Sequence, residues 1–473
     1  MTAMSYDVVV LGGGPVGENL AQYAIEGTSL TAAIVEGELL GGECSYYACM
    51  PSKALLRPIE VAASAADLGG LTTAEVRPDD LLRRRDAWVS HYDDHGQAEW
   101  AESAGIDLVR GHGRLTGERR VTVNGPDGVQ ELTARVAVVL ATGSTAVVPD
   151  LFLPAIPWTS RDATGVVEIP DRLAIVGGGV VACEAATWLS ALGSQVTLLV
   201  RGDRLLERCE PFAGDAVRDS LQRAGIDVRT QASVVGCTRP AADDTGLGRI
   251  HGGTVRLELN AADGGHSQLE VDEVLVATGR RPRLDDVGLD SVGLDREHVL
   301  AGALPEWLWA VGDASGEAPL THWGKYRARV LGERISALAE GRPVPFEPSG
   351  VPVPQVVFTD PQVAAVGQTE AEAREAGVAV VTTRVPYNSA AGAALLRDHV
   401  AGEAQLVVDS KTGTIVGATF VGPEVAELLQ AATIAILGRV PVSVLRHAVP
   451  SYPTASEIWL RLLEALPREL RTL

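Results

Sequence analysis

Short apolar runs that end in glycine turns organise most of this chain. Val8–Leu11 leads into Gly12-x-Gly14-x-x-Gly17 and a helix-compatible stretch, and a second run, Ala32–Val35, ends at Glu36. The layout recurs at Leu173–Val176, Gly177-x-Gly179-x-x-Ala182 and Gln195–Val200. Each set predicts a strand–turn–helix–strand unit. Glycines at this spacing let the backbone turn tightly and approach a pyrophosphate, which sits over the unpaired N–H groups of a helix N-terminus. One such motif is weak evidence, because a structural glycine turn mimics it. Two, each in full context, predict two dinucleotide sites. Val136–Ala141 before Thr142-Gly143 and Val274–Ala277 before Thr278-Gly279 read as further buried strands, and Leu308–Val311 as a strand ending at Gly312-Asp313. From about Pro352 the pattern alternates, at Gln405–Val408 and Ile415–Val421, with a helix expected over Ala426–Gly438. These changes of texture divide the chain into 1–150, 151–274, 275–348 and 349–473.

Composition narrows the classes. The 473 residues allow several domains and a large core. No apolar run reaches the ~18–20 residues of a membrane helix. Val8–Leu11 begins too early to leave room for a signal peptide, so a cytoplasmic protein is expected. A formal charge of −21, with the acids scattered, disfavours nucleic acid and anionic membrane as partners. Only three lysines, Lys53, Lys325 and Lys411, stand against 37 arginines. A chain so biased keeps lysine where arginine will not serve. Lys53 falls in the most specific stretch of the sequence, whereas nothing in the sequence gives Lys325 or Lys411 a task.

That stretch is Gly41-Gly42-Glu43-Cys44-Ser45-Tyr46-Tyr47-Ala48-Cys49-Met50-Pro51-Ser52-Lys53. Five cysteines in all (Cys183, Cys209 and Cys237 are the others) do not make a secreted disulfide framework, and a close pair in a reducing compartment reads as catalytic or metal-binding. Residues five apart in a regular helix lie ~8–9 Å between Cα atoms, beyond the reach of a disulfide. A redox pair here therefore requires a distorted segment. Half of a zinc site and two unrelated buried thiols remain beside that reading, although no further zinc ligands sit at a recognisable spacing.

The stretch resembles the active-site signature of the pyridine nucleotide-disulfide oxidoreductases, which include dihydrolipoamide dehydrogenase, glutathione reductase and mercuric reductase. The resemblance covers essentially the whole chain. It implies a glutathione-reductase-type α/β fold, with two Rossmann-like dinucleotide-binding domains and an α+β dimerisation domain in a homodimer. Gly12, Gly14, Gly17 and Glu36 resemble the family's FAD site, Gly312 and Asp313 its second FAD motif, and Thr142-Gly143 and Thr278-Gly279 its two linker motifs. Pro361–Glu370 resembles the opening of the dimerisation domain. The family further implies Cys49 as the thiolate facing the flavin, Cys44 as the thiol that meets substrate, and a Lys53–Glu184 pair at the flavin edge. Cys183 then reads as packing.

Two departures shape the functional expectation. After Gln195–Val200, Val200 stands where an NADH enzyme carries an acid, and Arg201 and Arg204 follow. With Gly177, Gly179 and Ala182, this resembles the NADPH site of glutathione reductase, although Glu207 replaces a second arginine. NADP is the expected nucleotide, since guanidinium forks suit a 2′-phosphate. The second departure is Tyr452, at the position of the acid–base histidine that acts with Glu457. A tyrosine with an ordinary pKa near 10 is a poor neutral-pH proton shuttle; His447, five residues upstream, is the alternative acid–base residue, although it is expected as a partly buried turn residue. Tyr46 and Tyr47 between the cysteines fit either packing or an aromatic-lined pocket. The terminal stretch Arg468–Leu473 carries no cysteine pair of the mercuric reductase kind. The expected reaction takes electrons from NADPH through FAD and Cys44–Cys49 to a small-molecule acceptor, favoured as a quinone or metal ion. A lipoamide-like or low-molecular-weight disulfide is the alternative, and carbon–sulfur cleavage of the 2-ketopropyl-coenzyme-M type a remote third. A non-enzymatic redox-sensing flavoprotein is the reading of another class.

Overall fold

The computed structural model describes residues 4–262 and 264–472, so Leu473 of the terminal stretch lies outside it. The chain divides into two compact units. One comprises 1–51, 85–147 and 279–348, the other 52–84, 148–278 and 349–473.

In the first unit, Met4–Leu11 lies parallel between Ala32–Glu36 and Gly128–Leu140, with Ile106–Arg110 outside Ala32–Glu36. Leu308–Ala310 adds in parallel to Gly128–Leu140, and two antiparallel strands, Arg120–Gly125 and His112–Gly117, extend the far side. The apolar runs are continuous because these central strands are buried on both faces. Val8, Val9 and Val10 are fully buried, as are Val138, Val139 and Leu140. Helix Pro15–Ile25 packs against helix Thr321–Ala339. Glycines make this approach close, since a Cβ on Gly324 would meet Val16 at 2.6 Å and one on Gly332 the Leu20 carbonyl at 3.0 Å.

The second unit holds three sheets among its described residues. Asp227–Arg229, Gln195–Leu199, Arg172–Val176 and Glu273–Val276 form a parallel sheet, and helix Val180–Ala191 follows its glycine turn. Ala232–Thr238, Val255–Ala261 and His266–Val271 form an antiparallel meander. The third sheet is antiparallel and carries Gln355–Val357, Gln362–Gly367, Thr414–Gly422, Glu403–Asp409 and Val380–Pro386 in that order. One face of it buries Leu406, Val408 and Phe420 with Ala432, Ile458 and Leu462 of the covering helices, which accounts for the alternation in sequence. The helix expected from Ala426 opens as a 3-10 turn, Val425–Leu428, and is α-helical over Leu429–Leu437. A fully buried ion pair, Arg239–Glu273, anchors the meander. Arg239 also donates to the His251 carbonyl at 2.7 Å, and the His251 N–H donates to Glu273 at 2.9 Å.

Candidate active site

The cysteine segment is broken as disulfide reach requires. Gly41 and Gly42, both at positive φ, open a short helix, Gly42–Tyr46. Tyr47 leaves helical geometry at φ −129°, ψ −1°, and a second helix, Cys49–Ala66, starts at the other cysteine. The break brings the two thiols within hydrogen-bond reach of each other. That bond and burial push the Cys44 thiol far up, while Thr321 and Lys325 oppose the shift. Thr321 Oγ1 lies 3.3 Å from Cys49 Sγ. The tyrosines pack rather than line an open pocket. Tyr46 is fully buried, and Tyr47 stacks on Tyr92 with centroids 5.6 Å apart.

Around the first glycine motif the backbone forms a cradle. A Cβ on Gly12 would meet the Ala141 carbonyl at 2.3 Å and one on Gly17 the Gly12 carbonyl at 2.0 Å, so both must be glycine. Gly14 instead faces nearly open space, caps helix Pro15–Ile25 without a side-chain bond, and is followed by Pro15, which has no N–H to lose. Glu36 accepts from the Gly13 N–H at 2.7 Å with one oxygen and the Glu38 N–H at 2.7 Å with the other. Each oxygen keeps lone-pair capacity for a hydroxyl. Asp313, beside Gly312 at φ +68°, accepts from the Ser144 hydroxyl, which in turn accepts from Arg280 at 2.8 Å. Arg280 also reaches the Glu43 carboxylate at 3.4 Å. Thr142 and Gly143 bind the backbone of Arg283, and Gly143 and Gly279 face open space. An open helix N-terminus with a carboxylate at the next strand end fits an adenine dinucleotide such as FAD. Sequence reasoning missed Ser144 and Thr321 and left Arg280 without a role. Only adjacency to Gly143 and Gly279 could have flagged Ser144 and Arg280.

The second unit repeats the cradle. A Cβ on Gly177 would strike the Ala277 carbonyl at 2.4 Å, Gly179 faces open space, and Ala182 fits inside the core. Val200 is buried at the strand end and Arg201 is exposed. Arg204 donates to the Glu207 carbonyl at 2.9 Å, and the Glu207 carboxylate folds over Gly202, where a Cβ would meet it. In the same unit Lys53 Nζ lies 2.8 Å from Glu184 Oε2 and 4.9 Å from the centre of the Phe358 ring. Glu184 is buried, and its other oxygen accepts from the Phe358 N–H at 2.9 Å. A cavity of about 450 Å³ adjoins Lys53, walled by Arg57, Glu60, Phe358 and Gln362. Burial pushes the neighbouring Cys183 thiol up, as suits packing. Tyr452 is 77% exposed, whereas Glu457 is buried at the head of helix Glu457–Ala465, and no hydrogen bond joins them. His447 is exposed rather than partly buried, because only its backbone N–H is engaged, by the Val444 carbonyl.

Two dinucleotide cradles, a pair of close thiols and a C-terminal antiparallel sheet define a flavoprotein oxidoreductase of the glutathione-reductase type. The chain belongs to the pyridine nucleotide-disulphide oxidoreductase family, whose model matches residues 6–325 and whose dimerisation-domain model matches 353–462. It is 30% identical to a dihydrolipoyl dehydrogenase of Haloferax volcanii, over 100% of this chain and 98% of that one. It is 29% identical to a mercuric reductase of Staphylococcus aureus, over 96% and 81%. The fold is that of the Cu(II) complex of the HOCl-induced flavoprotein disulfide reductase RclA from Escherichia coli, with TM-score 0.81 at 23% identity over 99% and 100% of the chains. It is also that of LpdA from Mycobacterium tuberculosis, with TM-score 0.79 at 23% identity over 98% and 99%. The family implies FAD and a pyridine nucleotide.

Proposed function

We propose that the enzyme, as a homodimer, passes electrons from NADPH through FAD and the Cys44–Cys49 couple to a quinone or a metal ion. The observation that carries this reading is the exposed phenol of Tyr452, not bonded to the buried Glu457, at the position where dithiol chemistry calls for a histidine. FAD, when bound, supplies exchange of a hydride for electrons. Gly12, Gly14 and Gly17 admit its pyrophosphate, Glu36 holds a ribose, and Asp313, fixed by Ser144 and Arg280, orients the other end. Lys53 neutralises Glu184, so this buried carboxylate stands as half of an ion pair. Cys49 is the thiolate of the reduced couple and Cys44 the outer thiol. A quinone or metal acceptor takes electrons without expelling a thiolate, so nothing is required of position 452. A solved structure of the same fold is a Cu(II) complex of RclA, which is in keeping with a metal acceptor. The dihydrolipoyl dehydrogenases among the relatives favour the second reading, a dithiol substrate. Steady-state assays with NADPH and a naphthoquinone, Cu(II) or lipoamide decide between them. Quinone or Cu(II) turnover is expected to exceed lipoamide turnover by about 10²-fold, the low end of lost acid–base help. Lipoamide turnover as fast as quinone turnover overturns the proposal.

A further inference from the structure

Three consecutive residues of the first unit, Ser90, His91 and Tyr92, hold left-handed backbone, at φ +49°, +52° and +61°. Crowding of the Cβ makes this region costly for an L residue, and none of the three is glycine. The turn closes on the Tyr92 N–H to the Val89 carbonyl at 2.8 Å and the Asp93 N–H to the Ser90 carbonyl at 3.0 Å. Both of its ends are pinned. Val89 is buried, and Asp94 accepts from the Leu40 N–H at 2.6 Å and from two Arg110 nitrogens at 2.6 and 2.9 Å. Arg110 also donates to the Glu38 carbonyl at 3.1 Å. The far end of the turn is thus tied to the residues just before Gly41 and Gly42, where the cysteine segment opens. What the turn presents is Tyr92. Its ring stacks on Tyr47, with centroids 5.6 Å and planes 28° apart, and the buried ring of Tyr46 lies 6.3 Å from the same Tyr47 ring. Tyr47 is the residue at which the chain leaves helical geometry between Cys44 and Cys49. Reversing the hand of the turn between its pinned ends would redirect the Tyr92 Cα–Cβ bond.

We propose that Tyr92 is a positioning residue of the Cys44–Cys49 couple, its ring bracing the break at Tyr47 across which the two sulfurs meet. The inference rests on that couple, as the proposed function has it, and is independent of which acceptor the enzyme uses. A continuous helix would part the Cα atoms of residues 44 and 49 to ~8–9 Å, beyond the reach of a disulfide. In the disulfide form the S–S bond itself enforces the break. In the dithiol form no covalent bond does, and the Tyr46–Tyr47–Tyr92 contacts keep the segment broken and the sulfurs ready to bond again. Loss of the Tyr92 ring lets only the dithiol form relax, so it shifts the couple toward the dithiol. The left-handed turn is the strain that holds this brace in place.

The test equilibrates the FAD-bound enzyme, without oxygen, with mixtures of reduced and oxidised dithiothreitol, and reads the Cys44 and Cys49 thiols by alkylation and mass. In this exchange the two S–H groups of dithiothreitol become one ring S–S bond, and the Cys44–Cys49 bond becomes two thiols. Tyr92→Ala should move the equilibrium roughly three- to tenfold toward the dithiol, the worth of one aromatic pair. Tyr92→Phe, which keeps the ring, should match wild type. A brace that served the fold alone would lower the urea midpoint of both redox forms alike and leave the equilibrium unmoved. An unmoved equilibrium in Tyr92→Ala, or a shift toward the disulfide, overturns the proposal. So does a shift in Tyr92→Phe as large as that in Tyr92→Ala, because stacking would then not be the cause. Should Tyr92→Ala lose flavin, Tyr92→Leu, which fills the space without a ring, carries the test by the same criteria. Wild-type enzyme that gains no thiols in excess dithiothreitol refutes the couple itself, a failure distinct from a couple that Tyr92 does not bias.

Discussion

Changing Arg201 to Glu tests the nucleotide assignment. Of the two arginines after Val200, Arg204 is committed to the Glu207 carbonyl and Arg201 is exposed with no bond to the described residues. Only Arg201 is therefore free to meet a 2′-phosphate, and the Glu207 carboxylate over Gly202 opposes it. A charge-assisted hydrogen bond contributes ~1.5–3 kcal/mol, and an exposed guanidinium delivers the low end because water screens it. Reversing the charge adds repulsion of similar size. The sum, about 3 kcal/mol, corresponds to a loss of roughly a hundredfold in kcat/KM for NADPH. NADH has no 2′-phosphate and should change by less than about twofold. The assay is the NADPH-to-NADH ratio of kcat/KM with one fixed quinone, at low and at moderate salt, where screening shrinks the preference. Glu207→Arg should raise the ratio. Equal wild-type efficiency with both nucleotides, or an Arg201→Glu loss shared equally by NADH, refutes the reasoning.

The cysteines are expected to differ spectroscopically. Two-electron reduction of wild type gives a long-wavelength thiolate–flavin band, Cys49→Ser abolishes it, and Cys44→Ser shows it without reduction. A band that survives Cys49→Ser reverses the assignment. Lys53→Met leaves the buried Glu184 with one backbone donor. It should lower stability by about 2–3 kcal/mol, less than a fully buried pair because Lys53 is about one-third exposed, as read from the urea midpoint of the holoenzyme. Tyr452→His, with Glu457 retained, should raise lipoamide turnover selectively over naphthoquinone turnover, and an equal effect on both counts against the histidine argument. Glu18, in helix Pro15–Ile25, predicts a pH dependence of folding. Burial raises its folded pKa above the ordinary 4.5, so its contribution is present below pH 4.5 and lost as pH rises through about 7. Unfolding midpoints should fall across that window by at most about 3 kcal/mol equivalent, and Glu18→Gln should flatten the fall.

Features written in local backbone rules were legible in sequence. Gly12 and Gly177 sit at φ +106° and +135° directly after buried strands, and neither position tolerates a Cβ. The break between Cys44 and Cys49 followed from helix rise against disulfide reach, and Tyr47 is where the chain makes it. What sequence did not reveal depends on pairs far apart along the chain. Asp313 needs Ser144 and Arg280, Cys49 needs Thr321, and Arg239 needs Glu273, none of which any periodicity connects. His447 was misjudged for a different reason: it falls where a turn's local geometry sets exposure, and apolar pattern carries no information about that.

The three lysines show how composition acquires meaning only with structure. Lys411 is an exposed turn residue whose N–H binds Asp409, a place where arginine would serve as well. Lys53 points a compact ammonium at one oxygen of a buried carboxylate while lying over an aromatic ring. A guanidinium fork there would present more donors than Glu184, already bonded to Phe358, can accept. Lys325 has no hydrogen-bond or ion-pair partner among the described residues, and its charge bears on the Glu18 carboxyl and on the Cys44 thiol.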